Sequence, residues 1–215
     1  MRVTAPPVGI LNDVRQRLMQ EAITLFVQQG YSATTVRAIV AAAGVTKPVL
    51  YYYFKSKENL YLEIMNSIRK LLDQRIEMLH ATAGSVRQRI QELFVGMLDS
   101  AHENLSVVRL AYAIYFGPPQ GAPFVDFNHF FDEILDTVDA LLAEGITTGE
   151  IVDCNRTIIC WALVGSYQAI LEEQFCRVTP RIDRNGLIQV VGQILDGVAP
   201  KTPQGAHQGE KYEAM

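Results

Sequence analysis

The stretch Thr34-Thr35-Val36-Arg37-Ala38-Ile39-Val40-Ala41-Ala42-Ala43-Gly44-Val45-Thr46-Lys47-Pro48-Val49-Leu50-Tyr51-Tyr52-Tyr53-Phe54 decides the fold of the N-terminal end. Val36, Ile39, Val40 and Ala43 recur at spacings of three and four, the mark of one apolar helix face. Thr34-Thr35 stands just ahead of them, where a hydroxyl can cap the first free N–H groups. Gly44 ends this helix after about two turns, because only glycine enters the left-handed backbone without a Cβ penalty. Thr46 opens a second short helix, and Pro48 sits in its first turn, where a missing N–H costs nothing. Leu50, Tyr53 and Phe54 turn inward, which leaves Lys47, Val49, Tyr51 and Tyr52 facing outward.

Upstream, Leu18, Ala22, Leu25 and Phe26 make one face of a helix that Gln29-Gly30 ends. Downstream, a helix starts after Ser56, runs through Leu60, Ile64, Ile68, Leu71 and Leu72, and reaches the Ala83-Gly84-Ser85 break. Helices are expected over about 86–103 and 106–116, followed by a Gly/Pro-rich loop over 117–123. Phe127, Phe130, Phe131, Ile134, Val138, Leu141 and Leu142 form a long stripe ending near Gly145. Residues 155–177 are apolar on nearly all sides, and Leu187, Val190, Val191, Ile194 and Leu195 form a last stripe. Nothing reads as a strand, so the expected fold is all-α. The expected division is a flexible arm over 1–11, a helix-turn-helix domain over 12–60, a helical effector-binding and dimerisation domain over 61–199 joined through the long fourth helix, and a disordered tail over 200–215.

Two short helices joined through Ala43-Gly44-Val45 are the pattern of a helix-turn-helix, whose second helix lies in the major groove of DNA. Lysine can meet guanine edges or phosphate, valine can touch a thymine methyl, and tyrosine hydroxyls bond phosphates and so set register. Charge agrees. Residues 1–70 carry nine Lys or Arg against four Asp or Glu, a local charge of +5, whereas the remainder carries -9. A basic head on an acidic body implies that one end meets a polyanion. Arg2, Arg15 and Arg17 are either a mobile arm reaching the DNA backbone or solvated charges.

The run from Thr34 to Leu60, with Ala22-Ile23-Thr24-Leu25-Phe26 and Gln29-Gly30-Tyr31 ahead of it, resembles the DNA-binding domain of TetR-family transcriptional regulators. The resemblance covers about residues 12–66. It implies that Thr35 and Arg37 touch the DNA backbone, that Thr46, Lys47, Val49, Tyr51 and Tyr52 face the groove, and that Lys57 holds a phosphate. It also implies a homodimer whose last two helices pair with their copies in a four-helix bundle.

On the helix over 155–177, Ala162, Gly165, Ser166 and Ala169 make a stripe of small residues that lets another helix approach closely, with Ile158, Ile159, Trp161 and Ile170 opposite. Leu187, Val191 and Ile194 of the last helix complete the expected dimer surface. One monomeric core is the alternative. Dimerisation suits the chemistry, since one short helix reads too few base pairs, while two heads about 34–36 Å apart read a palindromic operator.

Met97, His102, Arg109, Tyr112, Phe116, Phe127, Phe131, Trp161 and Tyr167 combine more aromatic surface than a small helical core needs with a few polar groups. They read either as a pocket for a small hydrophobic or aromatic effector or as plain packing. Asp132, Asp136 and Asp139 with His129 read as a metal cluster or a solvated acidic face, and Cys160 as a buried hydrophobe or a redox sensor.

At 215 residues and 49% hydrophobic, the chain holds one ordinary domain or two small ones. Its apolar runs reach only about eight residues, against about 18 for a membrane span. The start carries no secretory signal pattern, and Cys154, Cys160 and Cys176 make no disulfide framework, so a reducing cytoplasm is expected. No Ser-His-Asp spacing, phosphate loop or metal-ligand run appears, so neither an enzyme nor a cofactor is expected. The reading is a ligand-responsive repressor. The alternatives are an activator, a regulator answering to a protein partner without a small ligand, and a helical module binding DNA without sequence preference.

Overall fold

A computed structural model describes residues 8–81, 83–117 and 121–200. Over these residues the chain forms nine α-helices and no strand: α1 Val8–Ala33, α2 Val36–Ala42, α3 Lys47–Phe54, α4 Lys57–Ala81, α5 Val86–Glu103, α6 Leu105–Tyr115, α7 Phe127–Thr148, α8 Arg156–Cys176 and α9 Arg184–Asp196. Helix α1 begins inside the segment expected as an arm, and residues 1–7 and 201–215 lie outside the described residues. No described helix is long and apolar enough to cross a membrane.

The helix ends follow the sequence signals. Thr35 accepts from the Ala38 N–H at the start of α2, and Ser85 forms a reciprocal capping box with Gln88 at the start of α5. Asp126, Asn155 and Asp183 cap α7, α8 and α9 through the same kind of side-chain bond. Gly44 takes φ +62°, the left-handed turn that joins α2 to α3. Gly30 breaks helical geometry inside α1 (φ 80°, ψ 169°), so the helix kinks there and its last turn runs on to Ala33.

Two apolar cores meet along α4. The first gathers Leu18, Ala22 and Phe26 of α1, Ile39 and Val40 of α2, Leu50 and Phe54 of α3, and Leu60, Tyr61, Ile64 and Met65 of α4. The second begins with Leu72 and Leu79 of α4 and gathers the buried faces of α5, α7, α8 and α9. Helix α6 divides its surface between them. Leu110 is buried in the first core, with Val107 and Ile114 packed on it, whereas Val108 lies in the second and Tyr112 packs against it. Ala122, Val125 and Phe127, leading into α7, also pack on the first core.

Ion pairs bind the outer helices of the second core. Arg89 of α5 meets Glu144 of α7 at 2.6 Å, Arg184 of α9 meets Asp99 of α5 at 3.3 Å, and Arg87 pairs with Asp196.

Candidate functional site

The two short helices present one exposed face. Lys47, Pro48, Tyr51 and Tyr52 of α3 are exposed, as are Thr35 and Arg37 at the start of α2 and Thr46 ahead of α3. Tyr52 is 74% exposed and Tyr51 47%, while Leu50 and Phe54 on the opposite side are buried at 0% and 2%. An eight-residue helix cannot hold itself in water, so its inner face anchors it and its outer face is free to meet a partner. The Tyr52 ring leans edge-on against Tyr53 with centroids 5.1 Å apart, which limits its swing. Val49 is half-buried and packs partly on the first core, so it offers less surface than its spacing suggests. The Thr35 hydroxyl oxygen is already the α2 cap.

Lys57 does something the sequence does not announce. Its ammonium donates to the carbonyls of Tyr31 and Thr34, both at 2.8 Å, and lies 4.0 Å from the centroid of the Tyr31 ring. It therefore ties the start of α4 to the end of α1 and the loop before α2, and two of its three donors are spent inside the domain. Burial lowers its pKa from the ordinary lysine value. Burial, with Glu58 adding to it, raises the pKa of the neighbouring Tyr31.

Arg15 and Arg17, expected to be either a mobile arm or solvated charges, also work inside the domain. Arg17 donates through Nε to the Ala43 carbonyl at 2.9 Å, satisfying the C-terminal end of α2 beside the turn. Arg15 pairs with Glu63 of α4 and lies 5.5 Å over the Phe54 ring. Both contacts span more than 25 residues of sequence, so no local pattern reveals them. Lys55 is exposed at φ +62°, an uncommon conformation for a residue with a Cβ, and its N–H closes α3 onto the Tyr51 carbonyl.

Of the nine residues expected around an effector, Tyr112, Phe116 and Phe127 lie in one run of ring contacts through Tyr115, and the other hydrophobic ones lie in the core or in a separate pair. Met97 and Tyr167 are core, Tyr167 packing against Phe94 with centroids 5.4 Å apart. Tyr112 meets Phe175 edge-on and Phe116 at a tilt, centroids 5.0 and 5.7 Å apart, with Arg109 reaching the Phe175 carbonyl at 3.5 Å and His102 bonded to Gln174 at 3.0 Å. Phe127 meets Tyr115, and Phe131 meets Trp161. Burial raises the pKa of Tyr112 and Tyr167, so both stay protonated. Burial likewise holds the Cys160 thiol up at about 11, against reactivity. Asp139 is engaged with Arg156 at 2.8 Å, and His129 faces Glu133.

The expected dimer surface needs correction. Leu187 and Val191 are fully buried in the second core of their own chain and cannot reach a partner, because the apolar stripe of α9 faces inward. Ile194 is half-buried. On α8 the two expected faces merge: Ile158 (63% exposed) and Trp161 (56%) lie outward with Gly165 and Ala169, flanked by half-buried Ala162 and Ser166. Ile170 points into the core.

Comparison with known proteins places these features. Residues 18–64 match the model of bacterial regulatory proteins of the tetR family. The chain is similar to the HTH-type transcriptional repressor KstR2 of Mycolicibacterium smegmatis, at 35% identity over 95 residues, which is 44% of this chain and 46% of that one. Less than half of that relative's length is therefore aligned. The HTH-type transcriptional repressor DhaR of a Mycobacterium species is 25% identical over 195 residues, 88% of this chain and 94% of that one. Among solved structures, the TetR-family regulator PfmR of Thermus thermophilus superposes with a TM-score of 0.67 at 22% identity, covering 86% of this chain and 100% of that one. The last likeness is one of fold.

Proposed function

We propose that the chain, whose residues 18–64 match the model of bacterial regulatory proteins of the tetR family, is a homodimeric, ligand-responsive repressor of that kind that reads a palindromic operator in the cytoplasm. One observation carries the reading: α3 holds two large tyrosines and a lysine in water while its other face is anchored in a core. Exposed aromatic rings at that density are costly unless a partner covers them. Lys47, Tyr51 and Tyr52 meet the groove and its phosphates, Thr46 and Arg37 flank them, and Lys57 acts as a positioning residue.

The outward face of α8 supports dimerisation. An ideal Cβ built on Gly165 meets nothing within 4 Å in its own protomer, so its own fold makes no demand for a glycine there. Close approach of a second copy supplies one, with Ile158, Trp161 and Ala169 as the apolar cover. For the effector, the group of Tyr112, Phe116 and Phe175 with Arg109 and His102 at its edge is the best match to a small aromatic molecule with a polar tip. A ligand there presses on α6, which also packs on the DNA-binding core.

The test is fluorescence anisotropy on DNA from upstream of the chain's own gene, at fixed salt, with scrambled duplex as competitor. Binding that resists competitor and is lost in a Tyr51→Ala/Tyr52→Ala variant of unchanged helicity is the expected result. Equal loss to scrambled DNA overturns the specific-operator reading and leaves binding by charge alone.

A further inference from the structure

Lys55 stands where glycine is the natural choice. Among the described residues it is the one non-glycine with a positive φ, at φ 62° and ψ −32°. The Ser56 N–H donates to the Phe54 carbonyl at 2.7 Å across it. Lys55 is therefore the centre of a three-residue turn close to the rare γ form, which strains a residue with a Cβ. That turn ends α3 and swings the chain into α4. Glycine enters this backbone region freely, so a lysine here is held against the local preference. Its own fold gives the charge no use. The side chain is exposed, and among the described residues its ammonium has neither a hydrogen bond nor a carboxylate partner. Lys57, two residues on, differs: its ammonium is spent on the carbonyls of Tyr31 and Thr34.

Unfavourable backbone conformations persist mainly where a function holds them. The position of Lys55 supplies one. It follows Tyr51 by four residues and Tyr52 by three, which places its Cα on their side of α3, one turn further along. Its N–H still donates to the Tyr51 carbonyl at 3.1 Å, so helical geometry extends up to it. Lys47 opens the same exposed face eight residues earlier, which is about 12 Å at about 1.5 Å per residue. A cation thus stands at each end of the face, with the tyrosines between them. We propose that Lys55 is a DNA-phosphate contact. It takes the role that the sequence suggested for Lys57, whose charge is turned inward. A phosphate carries no sequence information, so the contact adds affinity and fixes the register of α3 without reading a base. It rests on the reading that α3 meets DNA.

The test is anisotropy of the full chain on two duplexes, the DNA upstream of its own gene and a scrambled counterpart, between about 50 and 200 mM salt. Glycine and asparagine both enter the left-handed region more readily than lysine, so Lys55→Gly and Lys55→Asn should melt at or above wild type. Both should flatten the slope of log K against log salt by about 0.9 per protomer, on either duplex, because a phosphate contact is independent of sequence. Their deficit against wild type then grows about 3.5-fold per protomer as salt falls from about 200 to about 50 mM. Lys55→Arg keeps the charge and should keep the wild-type slope. An unchanged slope in Lys55→Gly and Lys55→Asn, or a flattened one in Lys55→Arg, overturns the contact. The preference for upstream over scrambled duplex, and its loss in the Tyr51→Ala/Tyr52→Ala variant, read the operator separately. If wild type shows no preference while the slopes still differ, the operator reading fails and the phosphate contact stands. No binding of wild type to either duplex overturns both.

Discussion

Replacing Lys57 by methionine keeps the aliphatic stem and removes the charge, and it separates two roles that one lysine can have in such a domain. In the structure its ammonium makes two hydrogen bonds of 2.8 Å to backbone carbonyls and sits over an aromatic ring at 4.0 Å. Hydrogen bonds from a charged donor contribute about 1.5–3 kcal/mol each, and a cation over a ring about 0.5–1 kcal/mol near the surface. The three share one partly solvated group and do not add, so the expected loss is about 2–3 kcal/mol. For a chain of this size that lowers Tm by about 4–12 °C. DNA affinity should fall only slightly, and its dependence on salt should not change, because no phosphate contact is lost. A lysine on phosphate behaves in the opposite way: its removal flattens the slope of log K against log salt by about 0.9 per protomer. Thermal melting together with anisotropy at several salt concentrations decides the matter. A flattened slope at unchanged Tm would refute the clamp and return Lys57 to the DNA surface.

Three further outcomes are expected. Gly165→Leu should leave circular dichroism unchanged, since a Cβ at that position meets nothing in its own chain. It should convert dimer to monomer in sedimentation velocity, and a variant that remains dimeric would remove α8 from the interface. Leu110→Ala, although it lies on α6, should destabilise the DNA-binding core by about 2–5 kcal/mol, and hydrogen exchange should show the lost protection in α1 and α4 rather than α7. Glu173 is held down at about 2 by its hydrogen bond to Arg181, helped by Arg177. A carboxylate depressed in the fold stabilises above its unfolded value of 4.5 and loses that contribution as pH falls toward 2. Denaturation midpoints followed over that window should fall less steeply in Glu173→Gln than in wild type.

The helices were legible in the sequence because their signals are local. Thr35, Ser85, Asn155 and Asp183 cap within three residues of themselves, and Gly44 bends the chain where it stands. The exposed face of α3 was legible for the same reason: once Leu50 and Phe54 point inward, Lys47, Tyr51 and Tyr52 are left outside. What the sequence leaves unread is all long-range. Periodicity shows that α9 has an apolar stripe but not which surface covers it, and Leu187 and Val191 proved to face their own core. The orientation of α8 was ambiguous because it is apolar all round, so Ile158 and Trp161 could not be placed before its neighbours were known. An aromatic count does not show which rings touch, here a run from Phe127 through Tyr115, Phe116 and Tyr112 to Phe175, and Lys57, Arg15 and Arg17 take partners far away in sequence.

If the acidic body binds an effector, as proposed, those distant contacts give its signal a route to the basic head. Helix α4 alone is an uncertain lever, since its first half is embedded in one core and its second half in the other. Bending between Met65 and Leu72 could absorb a displacement before it reached α3. Helix α6 closes that escape. Leu110 is only 2% exposed within the first core, and Val107, Ile114, Ala122 and Val125 pack against the same core. Packed interiors yield in discrete rearrangements rather than by gradual compression, so a shift of α6 has to move α1 or open the seam between them. Because α1 carries Arg17, which holds the end of α2, and meets Lys57 at its own C-terminal end, it moves α2 and α3 with it. In the proposed dimer the reading heads must keep about one DNA turn between them, so a small rotation repeated in both protomers would be enough to lose a palindromic operator.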